Sequence, residues 1–284
     1  MNTMTRRRAN VKFPTAQNYM YFEAIEATTY TFTKDYGGAT GNLYYSTNKA
    51  NWTQFSSGTA TASFAAGSKV YIKGNINRST VYGPGTFSST GKFNVGGNIM
   101  SIFDFGELKT YACVSLFEGC SIVDASNLEL PATTLKEHCY EYMFRDCEYL
   151  IAAPVLPATT LAGFCYAFMF AGTSITVAPE LPATTMEQGC YQCMFLGNTA
   201  LITPPVLPAS VLAAVCYLSM FHGCTSLTHL VCLATDISAT NCVLNILANI
   251  RTTGYFYKSP DISASTWEST QETPIGWQIR DYTE

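Results

Sequence analysis

The sequence has little charge, few histidines and no long apolar run. Charged residues make up 13% of the 284 residues, which is about half the usual share of about 25%. The surface must therefore consist largely of Ser, Thr, Asn, Gly and Tyr, as is more typical of a structural, secreted or virion protein than of a cytosolic enzyme. Apolar residues reach 48%, so we expect a folded protein.

No segment supplies the ~18 apolar residues that a membrane-spanning helix needs. The N-terminus has the positive charges of a signal peptide, but the stretch from Val11 to Asn18 is too polar to be its apolar core. We therefore expect no membrane span and no export by this route for the chain as written.

Residue sets that carry chemistry are also missing. His138, His222 and His229 fall at non-equivalent places and form no ligand set. The single CxxC pair, Cys190 and Cys193, lacks a second pair, so packing is favoured over zinc or redox use. We therefore expect no enzyme, no catalytic residue, no metal and no cofactor.

Residues 85–93 resemble a phosphate-binding loop at first sight. Five residues separate Gly85 from Gly91 where the motif has four, and Phe93 stands where Ser or Thr must hold magnesium. A polar β-turn is the better interpretation of this segment.

The chain does contain an internal repeat. Leu-Pro-Ala-Thr-Thr-Leu begins at Leu130 and Leu156, and near-copies begin at Leu181 and Leu207, in steps of 26, 25 and 26 residues. Each copy continues with Cys-Tyr and Met-Phe at the same spacing. A period of 20–50 residues is typical of a solenoid, in which each unit buries its apolar side against its neighbours.

Within a copy, Leu135, Cys139 and Met143 recur at i, i+4 and i+8, and Tyr140 and Phe144 are also four apart. This spacing predicts one apolar face of a three-turn helix. Short extended pieces containing proline (Pro154, Pro179, Pro204 and Pro205) precede the second, third and fourth Leu-Pro corners, and proline predicts very short or irregular strands there.

Seven of the 11 cysteines fall in two series, Cys139, Cys165, Cys190 and Cys216 in one and Cys120, Cys147 and Cys224 in the other. One follows the repeat, and in the other Thr173 and Asn198 replace cysteine. Because a disulfide needs both partners, we interpret the cysteines as reduced, buried thiols.

Residues 17–104 differ in character from the repeat. Short segments of β-branched and aromatic residues alternate with Gly and Asn turns, which predicts a small antiparallel β-sandwich or barrel. Its predicted core is Phe32, Leu43, Tyr45, Trp52, Phe55, Phe64, Val70, Ile72, Phe87 and Phe93.

We therefore predict a mixed fold with four parts: an extended basic arm at 1–16, an N-terminal antiparallel β-sandwich at 17–104, a short solenoid at 105–233 and a C-terminal capping module at 234–284. The solenoid has one short strand and one helix in each 25–26-residue repeat. In the cap, Val243, Ile246, Leu247 and Ile250 predict a helix, residues 254–257 predict a strand, and Trp267, Trp277 and Ile279 predict an apolar cover.

The arm carries the charge asymmetry of the chain. Arg6, Arg7, Arg8 and Lys12 give residues 1–12 a charge of +4, which leaves −8 on the rest given the net charge of −4. Such an arm either contacts nucleic acid or docks on an acidic partner or stays solvated, and the second interpretation is favoured. We take Arg6, Arg7, Arg8, Lys12 and Phe13 as candidate anchoring residues.

The repeat strings, with Gly223-Cys224-Thr225-Ser226-Leu227 after the last copy, resemble the BspA-like leucine-rich repeats of surface proteins from gut bacteria and their phages. The lead-in at 85–101 and the closing segment at 274–282 resemble the flanks of the same family. The resemblance implies a leucine-rich-repeat solenoid over roughly residues 17–284 and an adhesion or attachment function.

We therefore expect a non-enzymatic attachment protein on a phage virion, as a capsid or tail decoration, fibre or host-attachment component. Its partners would be virion proteins, through the arm, and a host surface glycan or protein, through the repeat face. The alternatives are a bacterial cell-surface adhesin that binds host matrix or glycans and, less favoured, a glycan-cleaving enzyme, for which no carboxylate pair can be named. The candidate ligand surface is Tyr44, Tyr45, Trp52, Glu148, Glu180, Thr203 and His229.

Overall fold

A computed structural model describes residues 18–34, 40–77, 83–104, 106–270, 272–274 and 276–283. The fold is rich in β-structure and contains several sheets, with very little helix in the described residues. The predicted arm, with Arg6, Arg7, Arg8, Lys12 and Phe13, lies outside them. The strands are β1 Met20–Ala24, β2 Tyr30–Lys34, β3 Leu43–Ser46, β4 Thr53–Gln54, β5 Lys69–Gly74, β6 Gly85–Ser89, β7 Phe93–Asn98, β8 Asn127–Glu129, β9 His229–Cys232, β10 Gly254–Lys258 and β11 Trp277–Asp281. A 3-10 helix spans Ile99–Ile102 and an α-helix, α1, spans Ala264–Thr270.

The N-terminal part contains a six-stranded sheet, in the order β4-β3-β5-β1-β7-β8, and a two-stranded sheet, β2-β6. Alternate residues of β5 are buried, as expected for strands with one face on a core. The ring of Phe22 on β1 lies 4.9 Å from Tyr30 on β2 and 5.1 Å from Phe87 on β6. The two sheets therefore bring their apolar sides together.

The predicted core of this part is largely confirmed. Phe32, Leu43, Phe55, Val70, Ile72, Phe87 and Phe93 are buried, and Tyr45 and Phe64 pack against them while partly exposed. The prediction is wrong for Trp52, which lies half-buried on the outer side of the sheet, where its indole N–H donates to the carbonyl oxygen of Lys49 at 3.1 Å. The prediction also missed Met20, Phe22 and Tyr30, each with no exposed surface.

Each repeat copy is a coil of overlapping turns, so the predicted three-turn helix is wrong. The amide of Met143 donates to the carbonyl of Tyr140 at 3.2 Å, three residues back. The amides of Tyr140 and Phe144 instead donate to Cys165 and Met169 of the next copy, both at 3.0 Å. An α-helix would use every amide for a bond to the residue four positions back. Here alternate amides hold one coil to the next.

Positive φ values recur in the coils with a period of four residues. In the coil around Met143, φ is +55° at His138, +57° at Tyr142 and +57° at Asp146. A positive φ is what a type II turn requires at its third position. Turns that repeat every four residues return the chain to the same side, so the i, i+4 apolar spacing arises without a helix.

Neighbouring coils align their buried rings. One row begins at Phe87 of β6, and its successive centroids are 5.5–5.9 Å apart: Phe87, Phe117, Phe144, Phe170, Phe195 and Phe221. A second row has spacings of 5.7–6.1 Å: Tyr140, Tyr166, Tyr191 and Tyr217. Stacked aromatic pairs at such distances stabilise a fold beyond simple burial.

The hydrogen-bond pattern of the coils continues past residue 233, where the sequence suggested a boundary. The amides of Tyr217 and Phe221 donate to the carbonyls of Cys242 and Ile246 at 2.9 and 3.0 Å. Residues 241–249 thus form one more coil of turns, and the helix predicted from Val243, Ile246, Leu247 and Ile250 is wrong.

The strand predicted at 254–257 is confirmed as part of β10, which pairs in parallel with β9 and β11. Helix α1 was not predicted.

The prediction of buried, unbridged cysteines is confirmed, since all eleven are buried and free. Members of the second series fill a hydrogen-bonding place. Cys147 Sγ donates to the carbonyl oxygen of Phe117 at 3.0 Å, and Cys224 Sγ donates to that of Phe195 at 3.1 Å. Thr173, at the equivalent position, donates to the carbonyl oxygen of Phe170 at 2.9 Å. This position therefore holds a small hydrogen-bond donor, which is a thiol in some copies and a hydroxyl group in another.

Candidate functional site

The short strands of the repeats continue the N-terminal sheet. Strand β8 belongs to the first coil, yet it pairs in parallel with β7 of the six-stranded sheet. Later copies join through single bridges, such as Asp124 to Ala152 and Val177 to Thr203, and β9, β10 and β11 follow in parallel. We call the outward side of residues 151–155, 176–180, 202–206 and 228–231 the rung face.

The rung face exposes apolar side chains at regular steps. These five, named the apolar stripe, are Ile151 (54% exposed), Val155 (73%), Val177 (59%), Ile202 (52%) and Val206 (44%). Single exposed apolar residues are common, so the notable feature is their recurrence in successive copies. The repeat explains the regularity, because each member has an equivalent in a neighbouring copy.

Three predicted ligand residues lie on the rung face. Glu180 is exposed and stands at the repeat position that Val155 and Val206 occupy in the neighbouring copies. Thr203 is exposed beside Val177. His229 starts β9, is half-buried and has its Nδ1 3.3 Å from Thr228 Oγ1. These residues share a surface and are not gathered into a pocket.

Glu148 lies at a corner of its coil. Its side chain is exposed, and its carbonyl oxygen accepts a hydrogen bond from Ser174 Oγ at 2.6 Å. The neighbouring Tyr149 is 46% exposed, and Lys92 Nζ lies 4.2 Å from its ring centroid. The corner therefore sits beside the start of β7.

The outer side of the six-stranded sheet holds a second cluster, which we call the aromatic–lysine platform. Its members are Tyr19, Tyr21, Tyr44, Trp52, Tyr71, Lys49, Lys69 and Lys73. Tyr44 and Trp52, both predicted as ligand residues, belong to it. Tyr45 does not, because its ring packs 4.8 Å from Phe55 on the core side.

A shallow depression lies where β8 meets the rung face. Asn127 and Glu129 of β8, together with Pro131, Val155 and Pro157, line a volume of about 440 Å³. A depression of this shape gives room for a side chain or sugar of a ligand lying along the surface, and it does not enclose a small molecule.

Titratable groups with shifted pKa values are scattered. Burial raises the pKa of Glu141, although its Oε2 lies 2.7 Å from His138 Nδ1. Burial also raises the pKa of Glu272, which accepts a hydrogen bond from the amide of Asn245 near the other end of the stack. In the described part of the chain, no group of three His, Cys, Asp or Glu side chains is placed to hold a metal ion.

Sequence reasoning missed the apolar stripe and most of the platform. The signal was present in β5, where Lys69, Tyr71 and Lys73 alternate with the buried Val70 and Ile72. The same alternation that buries Val70 and Ile72 turns the residues between them outward.

No family model, curated protein or solved structure matches this chain. Among the described residues, no helix combines the length and apolar character needed to cross a membrane.

Proposed function

We propose that the protein is a non-enzymatic structural and attachment protein exposed on a phage virion, as a capsid or tail decoration, fibre or host-attachment component. The observation that carries the proposal is the rung face, an open surface on a stack of hydrogen-bonded coils that exposes the apolar stripe. Stacked repeats with an extended surface suit recognition of large partners. The rung face would contact a host surface protein or glycan.

The resemblance to BspA-like leucine-rich repeats supports this proposal. In that reading, the stacked coils are a short leucine-rich-repeat solenoid, the N-terminal sheets form its first cap, and β10, α1 and β11 form its last. The buried leucines of the repeat motif, such as Leu156, Leu181 and Leu207, agree with such a stack. The family is known mainly for adhesion and attachment modules.

The N-terminal arm would anchor the protein to other virion proteins. Its charge of +4 on a chain whose remainder sums to −8 favours an acidic docking surface on the partner. Arg6, Arg7, Arg8, Lys12 and Phe13 are the proposed contacts, and nucleic acid is not the expected partner.

Mass spectrometry of purified particles tests the proposal. We expect peptides of this chain in particles that have been purified free of host debris. Absence of the chain from such particles would refute virion display. Removal of residues 1–16 should release a folded body from the particle, whereas a truncated chain that stays bound would refute the arm as anchor.

A bacterial cell-surface adhesin is the second candidate, since the same exposed rung face would serve binding to host matrix or glycans. It predicts a longer precursor with an export signal and detection of the protein on intact bacterial cells. Antibody labelling of cells and of particles from the same culture distinguishes the two locations.

A further inference from the structure

We propose that the aromatic–lysine platform binds an acidic polysaccharide, with the lysines contacting carboxylates and the aromatic rings contacting the apolar faces of the sugars. This inference deepens the proposed attachment function, on which it rests for its biological role, by naming the class of ligand.

Three lysines of the platform lie over aromatic rings. The Nζ atoms of Lys49, Lys69 and Lys73 lie 4.3, 4.1 and 4.1 Å from the ring centroids of Tyr71, Tyr21 and Trp52. Similar contacts occur elsewhere in the described residues, at the rings of Tyr149, Tyr142 and Tyr255, but those three lie on separate elements. Three on one side of one sheet form a concentrated surface of cations and rings.

The platform has a built feature in the neighbouring strand. A Cβ at Gly96 of β7 would come within 2.4 Å of the Tyr21 hydroxyl and 2.5 Å of its Cζ. The glycine thus lets the Tyr21 ring lie across the next strand instead of standing upright. A glycine inside a strand commonly marks such a close approach. One face of Tyr21 rests on the sheet, and the other faces outward below the Lys69 ammonium.

Two of the three cations are available to a ligand. Lys69 Nζ lies 3.5 Å from Glu23 Oε2, so its charge is partly offset. Lys49 and Lys73 take part in none of the ion pairs formed between described residues. A lysine over a ring keeps its three donors free for an anion above the sheet. The site therefore favours a ligand with a few separated negative charges.

The small extent of the cationic patch favours one class of anionic polymer. A single-stranded nucleic acid carries a negative charge at every nucleotide and needs a positively charged groove. The chain outside residues 1–12 sums to −8, which repels any polyanion beyond the platform, so a ligand must be held by its contacts with the platform itself. A polysaccharide with one carboxylate per one or two sugars fits a small cationic patch with ring surfaces between the charges. The half-buried rings of Tyr19 and Tyr44 offer those surfaces, because aromatic side chains have apolar bodies and polar tips.

Titration of the purified full-length chain with defined octasaccharides tests the inference. The probes are octasaccharides of hyaluronan, alginate and polygalacturonate, their uncharged methyl esters, and a thymidine dodecamer. The variant Lys49→Gln with Lys73→Gln removes two platform charges. The matched control, Lys136→Gln with Arg251→Gln, removes two charges from exposed positions outside the platform. Far-UV circular dichroism verifies that both variants fold.

We expect at least one acidic octasaccharide to bind the wild-type chain in low salt. Its methyl ester should bind the wild type about tenfold more weakly or worse, and the acid should bind the platform variant about tenfold more weakly or worse, since each change removes charge contacts. The control variant should bind as the wild type does. No binding to any of the three acids, equal binding of the esters, or an unchanged affinity of the platform variant would overturn the inference. Tighter binding of the dodecamer that the platform variant loses would assign the platform to nucleic acid.

The titration uses isolated protein, so its outcome is independent of whether the chain is found in particles. Binding by a chain absent from virions would refute the proposed location and leave the platform standing. A chain that is present in virions but binds none of the acidic octasaccharides would refute the inference about the platform and leave the proposed location standing.

Discussion

Replacement of Phe170 by alanine gives the sharpest test of the stacked coils. Phe170 has no exposed surface, and its ring lies between Phe144 at 5.6 Å and Phe195 at 5.9 Å, with interplanar angles of 6° and 12°. Removing a buried phenylalanine side chain costs about 3–5 kcal/mol in unfolding free energy. Phe221, further along the same row, has one ring contact within the described residues, Phe195 at 5.5 Å.

Because an aromatic pair contributes about 0.5–1.5 kcal/mol beyond burial, we expect Phe170→Ala to cost that much more than Phe221→Ala. Phe170→Leu is the matched control, since it keeps most of the apolar volume and loses both ring contacts. It should cost about 1–3 kcal/mol, twice the value of a single pair. Urea unfolding followed by far-UV circular dichroism measures all three. A Phe170→Leu variant as stable as the wild type would refute the ring row as a source of stability.

Further predictions concern the turns, the thiols and the end of the stack. Val215 is a β-branched residue at φ +52°, so Val215→Asn should raise the free energy of unfolding by about 1 kcal/mol. If residue 215 lay in an α-helix, the same substitution would lower the stability. Burial raises the pKa of Cys193 to about 11, and Cys193 is 7% exposed while Cys190 is not exposed. Mass spectrometry after iodoacetamide treatment at pH 8 should therefore find Cys193 alkylated first. Fast labelling of Cys190 in the native state would contradict this. Burial raises the pKa of Glu272, so the folded state disfavours its charge. Glu272→Gln should therefore be more stable than the wild type at pH 7 and equally stable at about pH 3, where the carboxyl group is protonated. A difference in stability that stays constant across that pH range would contradict this.

The sequence predicted which residues of a repeat are buried, but it did not predict their backbone. Leu135, Cys139 and Met143 recur every four residues both in an α-helix and in a coil of four-residue turns, so apolar spacing alone cannot separate the two. The distinguishing signal is the repeat position of Asp146, whose equivalents Gly172 and Gly197 have φ values of +69° and +72°. Glycine, asparagine and aspartate recurring at one position predict left-handed backbone there, which no helix interior adopts.

The candidate surface was predicted in part. Tyr44 and Trp52 lie on the platform, but the alternation that buries Val70 and Ile72 also turns Lys69, Tyr71 and Lys73 outward, and this second consequence was not drawn from the sequence. The contact between Tyr21 and Gly96 depends on strand order, β1 beside β7. Because sequence spacing carries no information on which strands pair, only the fold could reveal it.

Immunogold electron microscopy of intact particles, with an antibody raised against residues 18–284, tests the central claim most directly. The account predicts gold at regular positions on the particle surface and its loss when residues 1–16 are deleted from the gene. Unlabelled intact particles, in a preparation where the same antibody labels bacterial cell surfaces, would contradict virion display and favour the adhesin.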